Sequence, residues 1–116
     1  MTMAIFNGAF PVLPGKVEAA RAFAKETMGA RRSGYEESQN RGGITRETWS
    51  IQETPDGNAL IVVWFESPDP EKSLLELAQD SSDFAVWFRK QVQDITGVDL
   101  AEPGEGGPEL VLEWKA

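Results

Sequence analysis

Arg46 and Glu47 stand side by side in the chain, Trp49 follows two residues on, and Trp64 lies in the next apolar run. A carboxylate whose pKa is raised by burial can act as a general base, and an arginine can hold an anionic oxygen. Tryptophan rings supply flat apolar walls, with Tyr35 as a further wall and Asn7 as a further polar anchor. Such a set suits an apolar, mildly acidic small molecule, whose pocket needs mostly apolar walls and one or two polar groups to fix orientation. Glu47 is therefore the candidate base, and Arg46, Trp49, Trp64, Tyr35 and Asn7 are the candidate ligand contacts. Neighbours in a strand point to opposite faces, so Arg46 and Glu47 share one cleft only if a bulge intervenes. Each residue also has a purely structural reading. Trp49 and Trp64 can serve as core or dimer-interface residues, and Arg46 and Glu47 as cross-strand or intersubunit ion pairs.

Few other chemistries are open to this composition. The 116 residues include no cysteine, which excludes disulfides, thiolate nucleophiles and thiolate metal sites. They include no histidine either, so Ser-His-Asp triads, histidine-ligated metals and haem, and a histidine proton shuttle are excluded as well. Only carboxylates remain as strong metal ligands, and neither a metal nor a cofactor is expected. Nineteen acidic residues against eleven basic ones give a net charge of −8, a field that repels nucleic-acid backbones and anionic membranes. The adjacent Arg31 and Arg32 read as a solvated helix face. With no basic leader at Met1–Leu13 and no run near the roughly 20 apolar residues of a membrane span, the expected location is cytoplasmic.

The elements that must position these groups follow from punctuation and periodicity. Residues 1–116 read as one domain. Ala4–Phe10 predicts a first strand ending at Pro11. Val17, Ala20, Ala24 and Met28 recur at helical spacing, predicting a long helix that continues through Tyr35, bends or breaks near Gly34 and ends before Gly42. Ile44–Gln52 alternates as a strand with Glu47, Trp49 and Ile51 on one side and Arg46, Thr48 and Ser50 on the other. Thr54-Pro55-Asp56-Gly57 predicts a hairpin turn, and Ala59–Phe65 the returning strand. Asp69 caps a short helix that opens on Pro70. Ser81 or Ser82 caps the next, whose Phe84, Trp87, Phe88, Val92 and Ile95 form one apolar face ending at Gly97. Pro103–Pro108 reads as a loop and Glu109–Trp114 as a last strand.

The order β-α-β-β-α-β is that of a ferredoxin-like α+β fold, four antiparallel strands with helices on one face. Ala59–Phe65 is apolar at every position, so both faces of that strand are expected to be covered. Helices cover one face; a second copy of the same sheet is the simplest cover for the other, which predicts a homodimer.

Gly43-Ile44-Thr45-Arg46-Glu47, the stretches Trp49–Gly57 and Ala59–Phe65, Asp69-Pro70, Leu77-Ala78, Phe84–Phe88 and Asp94–Leu100 together resemble a family of uncharacterised bacterial proteins of about this length. The resemblance runs from Gly15 to Trp114. It departs at Thr96, where that family carries histidine, and so loses the one family position suited to acid–base work near neutrality. The family is similar to the dimeric α+β barrel superfamily, which includes antibiotic-biosynthesis monooxygenases, EthD-like proteins and stress-responsive barrel proteins. The resemblance implies a dimeric α+β barrel with a ligand cleft between sheet and helices. The family itself has no established activity, so the resemblance leaves the chemistry open. Catalysis in the superfamily, where it exists without a cofactor, resembles proton abstraction from a phenolic substrate followed by reaction with oxygen. The leading expectation is a small-molecule-binding dimer of cofactor-free monooxygenase or isomerase type. The alternative function is that of a non-enzymatic dimer with a protein-interaction or stress-response role.

Overall fold

The computed structural model of the chain describes residues 2–102 and 107–116. Three strands form one antiparallel sheet: β1 (Ala4–Pro11), β2 (Arg46–Glu53) and β3 (Ala59–Ser67), in the order β1-β3-β2. The all-apolar strand is therefore the central one. Helices α1 (Val17–Met28), α2 (Arg32–Gly42), α3 (Pro70–Gln79) and α4 (Asp83–Thr96) complete the fold.

Register decides which side chains meet. β3 pairs Glu47 with Phe65, Trp49 with Val63 and Ile51 with Ile61 on the face that receives the helices. On the opposite face Asn7 faces Trp64 and Ala9 faces Val62, while Arg46 faces Glu66. Thr54-Pro55-Asp56-Gly57 turns the β2–β3 hairpin as its residues predict, with the Gly57 N–H donating to Thr54 O at 3.1 Å.

The core is aromatic. Phe23 of α1 lies 5.1 Å from Phe88, 5.2 Å from Trp49 and 5.4 Å from Trp87 between ring centroids. Phe84 and Phe88 of α4 are buried with it, alongside Ala20, Ala59 and Ile95. The α1 face that buries is thus Ala20, Phe23 and Thr27, not the Ala24 and Met28 line; Met28 is exposed. Thr27 tolerates full burial because its hydroxyl donates to Phe23 O at 2.8 Å.

The caps of the second half form as their residues dictate. Asp69 accepts from the Lys72 N–H and Ser82 from the Ala85 N–H, and Gly97 takes the left-handed conformation (φ 78°) that ends α4. Arg89 donates to the Leu77 and Asp80 carbonyls, both at 2.7 Å, and so satisfies the C-terminal end of α3. In α3 Leu74, Leu77 and Ala78 are half-buried and Ser73 is the buried residue. Ser73 Oγ lies 2.8 Å from Ser67 Oγ and 2.5 Å from Gly42 O, joining α3 to the end of β3 and the end of α2.

Two expectations need correction. The first long helix breaks at Gly29, not Gly34. Gly29 ends α1 with φ −108° and ψ −102°, a conformation in which a Cβ would lie 2.9 Å from Lys25 O, so the turn favours glycine. Gly34 instead lies inside α2, where α2 crosses α4 against Phe84. The fourth strand is also absent. Glu109–Trp114 has no regular secondary structure, and Leu110, Val111, Leu112 and Trp114 are exposed, because no strand edge of the chain pairs with their backbone. The expected loop Pro103–Pro108 lies mostly outside the described residues.

Gly34 yields a test. Alanine is favoured over glycine inside a helix by about 1 kcal/mol. A Cβ at position 34, however, would sit 2.8 Å from Phe84 Cβ, a main-stem atom that cannot swing away. Overpacking of this kind costs roughly 1–3 kcal/mol. Gly34→Ala is therefore expected to destabilise the protein by about 1 kcal/mol despite its better helix propensity. Urea unfolding measures the change, and an unchanged or raised midpoint would refute the close approach.

Candidate functional site

The aromatic packing stops short beneath α2. There the inner face of the sheet and helices α2, α3 and α4 enclose a cavity of about 90 Å³. Its walls are mostly aromatic and aliphatic, among them Phe10, Tyr35, Trp49, Phe65, Phe84 and Phe88, and Glu47 opens onto it. Among the described residues that line it there is no lysine or arginine.

Local geometry explains how the polar groups converge. Glu47 and Trp49 are two residues apart in β2, so strand alternation sends both to the inner face, and the Trp49 Nε1–H donates to Glu47 Oε2 at 2.6 Å. Tyr35 and Gln39 are four apart in α2, so both hang from the same side of the helix. Gln39 Nε2 donates to Glu47 Oε1 at 2.7 Å and to Tyr35 Oη at 3.2 Å. Each carboxylate oxygen thus has a neutral donor, and the tyrosine hydroxyl, accepting from Gln39, keeps its own hydrogen for Glu47.

Burial raises the Glu47 pKa above its ordinary value, and the hydrogen bonds from Trp49, Gln39 and Tyr35 only partly counter it. Burial likewise raises the Tyr35 pKa, reinforced by the negative charge of Glu47 and their hydrogen bond, so the phenol stays protonated. The site therefore holds one group able to take up a proton and one fixed donor, inside mostly apolar walls.

The candidate residues divide into two sets. Glu47, Trp49 and Tyr35 meet at the cavity. Arg46, Trp64 and Asn7 lie together on the opposite face of the sheet, so the pocket walls and anchor expected from them are corrected. No bulge intervenes between Arg46 and Glu47, and the alternation of β2 keeps them on opposite faces. The Arg46 guanidinium sits 5.4 Å above the Trp64 ring, and Asn7 pairs with Trp64 across the sheet. Arg32 at the start of α2 is exposed and pairs with Glu36, whereas Arg31, the residue before the helix, is half-buried and stacks over Trp87. The functional residue that sequence reasoning missed is Gln39. Its signal was the four-residue spacing from Tyr35 on an otherwise charged helix.

Set against known proteins, the chain matches no family model, no curated protein and no solved structure. Among the described residues no group of three or more carboxylates converges as a metal site, and no helix is long and apolar enough to cross a membrane.

The raised Glu47 pKa sets a direction for stability. From 4.5, the ordinary value, up to the folded value, the native chain holds a proton that the unfolded chain has lost. Stability supplied by Glu47 is therefore full below that window and declines as pH rises through it. In Glu47→Gln the charge is gone, and a flip of the Gln39 amide re-pairs every group. The variant is expected to gain on the wild type as pH rises from 4.5 into the neutral range. Thermal unfolding of both proteins across that range measures it; a constant difference between them would show that the carboxylate is not held in an apolar site.

Proposed function

We propose that the protein is a homodimeric α+β barrel that takes a small apolar or phenolic molecule into the sheet–helix cavity and acts on it without a cofactor. The observation that carries this reading is the placement of Glu47, a carboxylate of raised pKa opening onto a cavity with aromatic walls. A base in such a place can take a proton from a hydroxyl or an acidic C–H of a bound molecule. That step begins both isomerisation, which returns the proton to another carbon, and cofactor-free monooxygenation, in which the substrate anion reacts with oxygen. The cavity is smaller than the roughly 150 Å³ that holds benzene, so a few-atom aliphatic molecule enters as it stands and a phenol ring requires α2 to yield.

Dimerisation belongs to the same reading. Ile5 and Val62 are exposed on the outer face of the sheet, beside the half-buried Leu60 and Trp64. Packing two such faces together would remove this apolar surface from water. Pairing of Glu109–Trp114 with an open strand edge in the assembly would supply the fourth strand of the ferredoxin-like sheet. The same exposed segment favours the second reading, a non-enzymatic dimer whose apolar tail engages another protein.

Two measurements test the proposal. Sedimentation at micromolar concentration is expected to give a dimer, and a stable monomer overturns the barrel. Addition of simple phenols or small alcohols should shift the Trp49 indole N–H resonance, because that group donates to Glu47 at the cavity wall. If no compound moves it, the second reading replaces the first.

A further inference from the structure

The charge of the cavity is its most informative property. Glu47 is surrounded by three neutral donors, Trp49, Gln39 and the Tyr35 hydroxyl, and among the described residues by no cation. Neutral hydrogen bonds satisfy its oxygens but leave its charge uncompensated in a low-dielectric setting, which is a costly arrangement. Elsewhere among the described residues Glu18, Glu26, Glu36, Glu53 and Asp80 each have an arginine beside them, and Asp80, the one of these that is mostly buried, is held by Arg41. Arg46, the cation nearest Glu47 in sequence, is turned to the other side of the sheet.

We infer that the cavity takes a small apolar amine in its ammonium form, with the positive nitrogen against Glu47. This rests on the proposed cavity binding and names the polar end of the apolar ligand. An ammonium group brings the charge that the site lacks and up to three donors for the carboxylate oxygens. Trp49 and Tyr35 turn the polar edges of their rings, the indole N–H and the phenol O–H, to Glu47, so the carboxylate itself holds the ammonium. A carboxylate or phosphate ligand is repelled by Glu47 and finds no lysine or arginine on the walls. The protein's charge of −8 enriches cations around it and opposes anions. A volume of about 90 Å³ restricts the apolar part to a short chain.

The test uses three ligands of near-equal size: n-propylammonium, n-propanol and propionate. Each is titrated into the full chain while the Trp49 indole N–H resonance is followed. Propylammonium is expected to bind about tenfold tighter than propanol, a ratio worth about 1.4 kcal/mol, and propionate not at all. Glu47→Gln, whose dispersed spectrum reports its folding, should remove the amine's advantage, so that propylammonium and propanol bind alike. In the wild type, propylammonium affinity should rise with pH through the Glu47 titration, whereas propanol affinity should not. Tyr35 is the other titratable group at the cavity, and it remains protonated throughout; β1, β3, α3 and α4 contribute uncharged lining residues. Equal binding of amine and alcohol overturns the inference and leaves the cavity as a neutral-ligand site. No shift with any of the three overturns cavity binding itself.

Discussion

Everything in this fold is arranged around one contact, the insertion of Phe23 between Trp49 of the sheet and the Phe88–Trp87 side of α4. One ring joins three elements that are far apart in sequence. Burying an aromatic side chain of this kind contributes several kcal/mol, and the offset and edge-on ring geometries add to it. The cluster fixes how far α1 and α4 stand from β2. It leaves α2, whose residues are all half-buried or exposed, to roof whatever space remains. The cavity is thus a product of core packing on one side and of its absence on the other.

The parts of the fold that could be read from residue order are those where local chemistry has one solution. A Pro55–Gly57 turn between two β-rich runs closes a hairpin. Asp69 before Pro70, and Ser82 three residues before the N–H that donates to it, start helices. These features act within a few residues and are not overruled by tertiary structure. The break in the first helix was misplaced because Gly29 and Gly34 look alike in sequence. Which one bends the chain and which one admits a neighbour depends on Phe84, fifty residues downstream from Gly34. Glu109–Trp114 shows the converse failure. Its alternation is that of a strand, but a strand exists only where another edge supplies hydrogen bonds.

The site was half legible for the same reason. Alternation in β2 correctly separates Arg46 from Glu47 and unites Glu47 with Trp49. It cannot say which of the two faces the helices cover, and that choice moves Arg46, Trp64 and Asn7 away from the cavity. Tyr35 reaches it from a helix whose direction is set by the turn at Gly29. Gln39, between Ser38 and Asn40 on a polar helix, has no apolar signature in sequence. Only the proximity of Glu47 gives it a task.

The roof helix gives the cavity a further property. α2 is held by polar links at its C-terminal end, the Arg41–Asp80 pair and the Ser73 hydroxyl at Gly42 O, and by the grip of Tyr35 and Gln39 on Glu47. With no fully buried side chain it belongs among the elements that open locally at low cost. Lifting α2 removes two of the three donors from Glu47 and lets water in their place, which returns the carboxylate toward its ordinary acidity. Lowering it again raises the proton affinity. Motion of the roof and occupancy of that proton are therefore one thermodynamic cycle, and a ligand that enters must exchange with both.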